Sequence, residues 1–472
     1  MAQRDNVQGP GDYDLGQVAI LGSSNNIVNI TEQVQELNIF QSIDSPFMSG
    51  NLLLNDATGV GSVAPILGQE RLLFTLKTPS RYPIDFDTYH AVIYNVDKRF
   101  HGSNRAQIFL LSFTTLENYR NSRTKVSKSF KGNPSIITQS ILQDEKYLAT
   151  KKRLFIDHTI NIKNYVAPNI RPYQVIHTMK QEAMTDKNEP HFVFFENPRG
   201  IHFRSLDSLL GEAGAVSMPS VQSYKLQPPE GQNLGDSLST ILSWEVEESS
   251  NTLFSGRAGM FASSLNVHDV YNKNVEKFEY DYVRDMFRKR NSANQSNKTY
   301  GPMISESPVD GEKRLTDYPA SRLFLYPKSK DTNHVEKWLQ ESHSRGIERE
   351  FFTIKIEVFG DTGVMCGDII DITIPTNREL SESDVESFPD PILSGRYLIT
   401  SMKHQVNHPT QQHIMIITAM KDSVTTSVPT EPIKYPPEKK KSSDDIGLKQ
   451  EKRALKQKPR ALAQKPMHPS GL

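Results

Sequence analysis

Gly50-Asn51-Leu52-Leu53-Leu54-Asn55-Asp56-Ala57-Thr58-Gly59-Val60, followed by Gly68-Gln69-Glu70-Arg71-Leu72-Leu73-Phe74-Thr75-Leu76, has a counterpart far downstream in the same chain. There Lys355-Ile356-Glu357-Val358-Phe359-Gly360-Asp361-Thr362-Gly363-Val364 precedes Gly367-Asp368-Ile369-Ile370-Asp371-Ile372-Thr373-Ile374. Each passage runs strand, Asp-Thr-Gly-type turn, glycine, strand. Each is then followed by two more apolar runs, Tyr89–Lys98 with Gln107–Leu116 and Tyr397–Val406 with His413–Met420. Apolar residues that alternate with polar ones, as in Phe352-Thr353-Ile354-Lys355-Ile356-Glu357-Val358, mark half-buried strands. The shared order predicts two similar antiparallel β-barrel-like units, over 18–119 and 335–424. The alternative is that β domains in general share such punctuation.

The chain between and around these units reads differently. Asn133 before Pro134, with Ile137, Ile141 and Leu148, predicts a proline-led helix, and Arg171-Pro172 with Val175, Ile176, Met179 and Ala183 predicts a second. Phe192–Phe195 and Ile201–Arg204 flank Asn197-Pro198-Arg199-Gly200, a hairpin signal, so 120–218 is expected to be an α+β domain. A middle region over 219–334 holds a helix or strand near Leu238–Val246 and a hairpin over 265–283, and part of it, about 234–254, is a candidate to join the second unit. Val335, Trp338 and Leu339 lie at helical spacing and predict a helix leading into that unit. The segment 375–391, with Glu379, Glu382, Asp384, Glu386 and Asp390, is expected to be a surface loop. Residues 1–17 are expected to form a flexible arm. The basic, Pro/Lys-rich tail 425–472 carries seven prolines, with eleven Lys/Arg against five Asp/Glu, and is expected to be disordered alone. The fold class is thus α+β, mainly β.

Composition narrows function by exclusion. The chain has 472 residues with Lys+Arg and Asp+Glu both at 55, so no global field draws it onto nucleic acid or anionic lipid. A single cysteine, Cys366, allows no intrachain disulfide and reads as a small buried residue. No run is apolar for the ~20 residues that cross a bilayer, and Met1–Gly16 lacks the core of a secretory signal. GxxxxGK[ST], GxGxxG at a strand-to-helix junction, HExxH and GxSxG are all missing. Carboxylate pairs such as Asp85/Asp87 and Glu245/Glu247 are expected by chance among so many acids. His404, His408 and His413 span one predicted hairpin, where cross-strand geometry could join His404 to His413. Their spacing fits no ligand pattern, so surface histidines are expected. The basic groups Arg123-Lys125-Lys128-Lys131, Lys151-Lys152-Arg153 and Arg284-Arg288-Lys289-Arg290 are read as solvated faces. The tail is a plausible docking arm or a solubilising segment. No catalytic, metal or cofactor site is predicted.

The run from Leu37-Asn38-Ile39-Phe40-Gln41-Ser42-Ile43-Asp44-Ser45-Pro46 through Ser49-Gly50, Asp56-Ala57-Thr58-Gly59 and Pro65-Ile66-Leu67-Gly68-Gln69-Glu70 resembles the opening domain of the baseplate central hub proteins of contractile-tailed bacteriophages. The order continues with the helix at 172–184, the hairpin into Ser205-Leu206-Asp207, the Trp338 helix, and the ending Gly395-Arg396-Tyr397-Leu398-Ile399, Lys403-His404 and Met420-Lys421-Asp422-Ser423. Related proteins form the hub part of type VI secretion spikes. The resemblance implies a non-enzymatic homotrimer in the tail baseplate of the virion, assembled in the host cytoplasm. Three chains with two tube-like units each would make a pseudo-sixfold ring between a hexameric tail tube and a trimeric spike. Partners implied are the spike, tail-tube or tube-initiator proteins, other baseplate subunits, and DNA in transit during ejection, with no stable membrane insertion. Hub-plus-spike fusions continue into an OB-fold and a needle, so a separate spike chain is expected. The rival expectations are a tail-associated cell-wall hydrolase and a type VI-like spike hub.

Overall fold

Alternating burial turns the predicted runs into strands. In Ser49–Asp56 and Phe352–Phe359 every second side chain is buried, which is the signature of a sheet with one face on a core. The computed structural model describes residues 9–422 apart from 23–25, 58, 60–65, 102–105, 212–219, 227–237, 250, 270–271, 283, 286–318, 326–334, 351, 377–388 and 391. The expected tail, residues 286–318 of the middle region and most of the acidic loop fall outside the described residues. The described chain is mainly β, with several sheets and shorter helices.

Twelve strands matter most. In the N-terminal part they are β1 (Ala19–Leu21), β2 (Val34–Ser42), β3 (Ser49–Asp56), β4 (Arg71–Leu73), β5 (Ala91–His101) and β6 (Gln107–Thr115). In the C-terminal part they are β7 (Gln222–Lys225), β8 (Ile241–Ser249), β9 (Phe352–Phe359), β10 (Ile369–Thr373), β11 (Gly395–Asn407) and β12 (Gln412–Met420). The first six are ordered β2-β3-β6-β5-β4-β1 and the second six β8-β9-β12-β11-β10-β7, the same order taken strand for strand. One pairing differs: β1 meets β4 antiparallel, whereas β7 meets β10 parallel.

The two runs also share their irregularities. β2 slips by one residue against β3 between Val34 and Glu36, opposite Leu54 and Leu53. β8 slips likewise between Ile241 and Ser243, opposite Val358 and Glu357. β5 bulges at Tyr94, between Ile93 and Asn95, where it faces Phe113 and Ser112, and β11 bulges at Thr400, between Ile399 and Ser401, where it faces Ala419 and Thr418. A bulge is a placed feature that re-aims a strand, so these coincidences fix which residue of one run answers to which of the other. Both turns use an aspartate, over different spans: the Gly59 N–H donates to Asp56 Oδ1 three residues back and the Gly363 N–H to Asp361 Oδ1 two residues back, each at 2.7 Å.

The two expected barrels are not separate sheets. β11 pairs antiparallel with β2 from Ser401↔Ser42 to Asn407↔Glu36, so all twelve strands belong to one thirteen-stranded sheet. Its apolar faces supply two cores. One gathers Leu37, Leu52, Phe74, Phe86, Leu111 and Phe113, and the other Ile354, Ile356, Ile370, Tyr397, Met415 and Ile417. Gly50 is needed in the first because a Cβ there would stand 2.3 Å from both the Asn38 carbonyl oxygen and the Phe113 ring.

Helices α1 (Pro134–Gln143) and α2 (Pro172–Glu182) form where the proline-led starts predict them. Asn133 sits at the N-cap position of α1 without capping it. Its Nδ2 donates instead to the Thr159 carbonyl, and Thr159 Oγ1 accepts the Ser135 N–H. Ile137, Ile141, Val175, Ile176 and Met179 pack with Phe194 and Phe203 of the hairpin Phe192–Asn197/Gly200–Ser205 in a third core. Arg199, in the hairpin turn, forks onto Asp368 at 2.6 and 2.9 Å and ties this core to the β9–β10 turn. The segment near Leu238–Val246 is strand β8, paired to β9. The hairpin Ala262–Asp269/Asn274–Asp281 packs under helix α3 (Val335–Glu348), with Trp338 and Leu339 against Leu265 and Val267. The arm expected to be flexible over 1–17 is docked from Gly9 onward. Asp14–Leu15 pairs with Leu76–Lys77, and the Gly11 carbonyl accepts the His413 N–H.

Candidate assembly seam

The seam where β11 meets β2 carries the least expected chemistry. Met402, His404 and Val406 alternate inward along β11, as do His413, Met415, Ile417 and Ala419 along β12. His404 and His413 are therefore buried, not surface residues as expected, while His408 in the turn is half-buried. Their place in the apolar alternation was the signal that could have revealed it. His404 Nδ1 lies 3.1 Å from His413 Nε2.

A chain of donors fixes the proton positions. The Cys366 N–H donates to Gln41 Oε1, which turns the Gln41 amide nitrogen toward His404 Nε2 at 3.3 Å. His404 Nε2 therefore accepts, its Nδ1 carries the proton, and that proton is donated to His413 Nε2. Both accepting lone pairs are spent, so the pair is a neutral cross-strand lock and offers no ligand to a metal. Burial pushes His404 down to about 4 and His413 well below its usual range, the latter helped by His404. Tyr13 meets the His413 ring edge-on and its OH reaches His408 Nδ1 at 3.2 Å. Gly360 completes the lock, since a Cβ there would lie 2.0 Å from the His413 ring.

The sign of the pH dependence follows. Between about 4 and the ordinary histidine value near 6.5, the unfolded chain binds a proton at His404 that the folded chain does not. Stability contributed by this group is present above that window and is lost as pH falls through it. Chemical denaturation at stepped pH should show a slope shallower by up to about 1.4 kcal/mol per pH unit in a His404→Gln variant than in the native chain. Identical slopes would contradict a buried neutral His404.

The other candidate residues are placed as follows. Asp85 Oδ1 accepts the Asp87 and Thr88 N–H groups, so that pair is a turn. Glu245 and Glu247 are exposed on β8. Cys366 is buried. Of the basic groups, Arg123 stacks on Tyr119 and Lys128 on Phe130, Arg284 pairs with Asp285, and 288–290 lie outside the described residues. Lys152 is a correction: it is not solvated but buried between Glu117 and Glu196. A cleft of about 440 Å³ lies beside it, between Tyr82, Tyr89 and Phe155. The carboxylates on its wall, Asp85 and Glu196, are engaged in the turn and the ion pair. Among the described residues, no group of three or more His, Cys, Asp or Glu could hold a metal, and no helix is long and apolar enough to cross a membrane.

No protein-family model and no curated protein matches the chain. Solved structures do. A tail protein from Neisseria meningitidis MC58 aligns over 88% of this chain and 100% of its own, at 11% identity and a TM-score of 0.49. The 43 kDa tail protein of prophage MuSo2 from Shewanella oneidensis aligns over 86% and 98%, at 9% identity and a TM-score of 0.46. An E. coli type VI secretion component, described as structurally similar to the T4 tail proteins gp27 and gp5, aligns over 86% and 78%, at 10% and 0.40. The structural neighbours are phage tail and type VI secretion proteins.

Proposed function

We propose that the chain is a structural hub of a phage-type tail baseplate, a homotrimer in which six similar β units form one ring. One observation carries this. Within a single chain, two six-strand runs share strand order and two bulge positions, and they meet edge to edge through β11 and β2 rather than face to face. An edge contact between two similar units is heterologous, and repeating it generates either a closed ring or an open filament. Three chains supply six units, so the ring has threefold symmetry in its chains and pseudo-sixfold symmetry in its sheet. Such an object matches a hexameric tail tube on one side and a trimeric spike on the other, and its bore gives DNA a path during ejection. The domains at 120–218 and 219–334 are the parts available for the spike and neighbouring baseplate subunits.

Light scattering on the full chain, alone and mixed with the tube and spike proteins of the same tail, tests this. A trimer mass in either sample is expected. A chain that stays monomeric in both, with no affinity for either partner, overturns the proposal.

A further inference from the structure

Among the described residues, the strands that answer to the two sides of the internal seam each leave one side largely open. β5, the counterpart of β11, meets β4 only through Ala91 and Val92, and its stretch Asn95–His101 has no second neighbour among the described residues. β8, the counterpart of β2, is paired with β9 and, among the described residues, with no other strand. A long open edge is a template for another strand.

We propose that Val96–His101 of one chain pairs antiparallel with Trp244–Ser249 of a second copy of the same chain, repeating the β11–β2 seam between subunits. This rests on the ring assembly and specifies its contact. The bulges shared by the two runs transfer the register. Lys403↔Phe40 of the internal seam becomes Asp97↔Glu248, and Val406↔Leu37 becomes His101↔Trp244.

Both free edges depart from their internal counterparts between those two pairs. β5 holds one extra residue between Asp97 and Phe100, which face Leu110 and Ile108. β8 holds one extra residue between Val246 and Glu248, which face Ile354 and Thr353. Either bulge alone would throw the transferred ladder out of step by one residue and turn every later side chain to the wrong face. The two lie opposite each other and cancel. The ladder then runs without a slip, with Val96 opposite Ser249, Phe100 opposite Glu245 and His101 opposite Trp244. Matched irregularities on two edges that do not touch in one chain are accounted for when those edges meet between chains.

Burial agrees. Leu37 is 1% exposed beneath the internal seam, whereas its counterpart Trp244, on the core side of β8 beside Ile356, is 37% exposed. Phe100 on the opposite edge is 52% exposed. Large apolar side chains on a bare strand edge mark an association surface.

The register is tested by a Phe100→Cys/Glu245→Cys double variant, since facing Cβ atoms across an antiparallel pair are close enough for a disulfide. The native Cys366 is buried and does not compete. After mild oxidation, denaturing electrophoresis without reductant should show covalent dimers and trimers that vanish on reduction. Either single variant should remain monomeric, and Phe100→Cys/Ser243→Cys should cross-link at least several-fold less. A double variant of trimer mass that gives no cross-link overturns this seam and leaves the ring standing, whereas a monomeric native chain in the presence of its partners overturns the ring itself. If the cysteine variant fails to fold, Trp244→Lys reads the same contact: at least a tenfold loss of association is expected, with Trp244→Phe retaining it. An unchanged trimer in Trp244→Lys overturns the proposal.

Discussion

Replacing Arg345 with methionine should cost about 3–5 kcal/mol, the scale for removing one partner of a buried ionic group. Arg345 on α3 is buried and holds three carboxylates that are also buried: Asp207 at 3.0 Å, Asp422 at 3.3 Å, and Glu348 one helical turn along. Burial alone would push the guanidinium down, but Glu348, Asp207 and Asp422 more than offset it and hold Arg345 well above its ordinary range. Burial raises Glu348, which also accepts from the Tyr282 hydroxyl. Without the cation, three carboxylates stay in a dry site, and Glu348, which burial already raises, takes up a proton more readily. The loss read by urea denaturation should therefore shrink as pH is lowered toward 5. Adding Asp207→Asn and Glu348→Gln to Arg345→Met should recover part of the stability, because the penalty arises from the stranded charges more than from the lost pair. Arg345→Met within 1 kcal/mol of the native chain would contradict the buried network.

Lys152→Met is expected to have an effect of similar size, again about 3–5 kcal/mol, at a junction that bears on assembly. The Lys152 ammonium sits 2.7 Å from Glu117 and also bonds Glu196. Burial pushes Lys152 down, yet the charges of Glu196 and Glu117 outweigh it and raise the group overall. Burial raises Glu196, while Lys152 carries Glu117 below its ordinary value against burial. Glu196 also accepts from Thr115 Oγ1, at the end of β6, and from the Met48 N–H beside β3. The network thus fastens the helical region to the first β run. Thermal unfolding should show Lys152→Met losing stability while Lys151→Met, whose side chain is exposed, stays within about 0.5 kcal/mol of the native chain. Equal effects of the two substitutions would contradict the burial of Lys152.

The contrast between those neighbouring lysines shows what could be read in advance. Lys151-Lys152-Arg153 is one basic run in the sequence, and charge alone assigns it to solvent. Nothing within a few residues shows that two acids, Glu117 and Glu196, close over the middle member. His404 and His413 differ, because their places between Met402 and Val406 and before Met415 already put them on the buried face of an alternating strand. There the rule that histidine favours the surface lost to periodicity, and the Gln41 and Cys366 groups that satisfy the pair are contributed by other strands.

The sequence by itself determined the strands, the proline-led helices, the hairpin at Pro198-Arg199 and the repeated strand-turn-strand order, because alternation, proline and glycine act over a few residues. Only the tertiary structure decided that β11 lies against β2, that β5 and β8 are edges among the described residues, and that their extra residues match. Ladder hydrogen bonds join backbone groups every residue carries, so the partner of an edge is chosen by the packing of side chains far apart in the chain and not by any local signal.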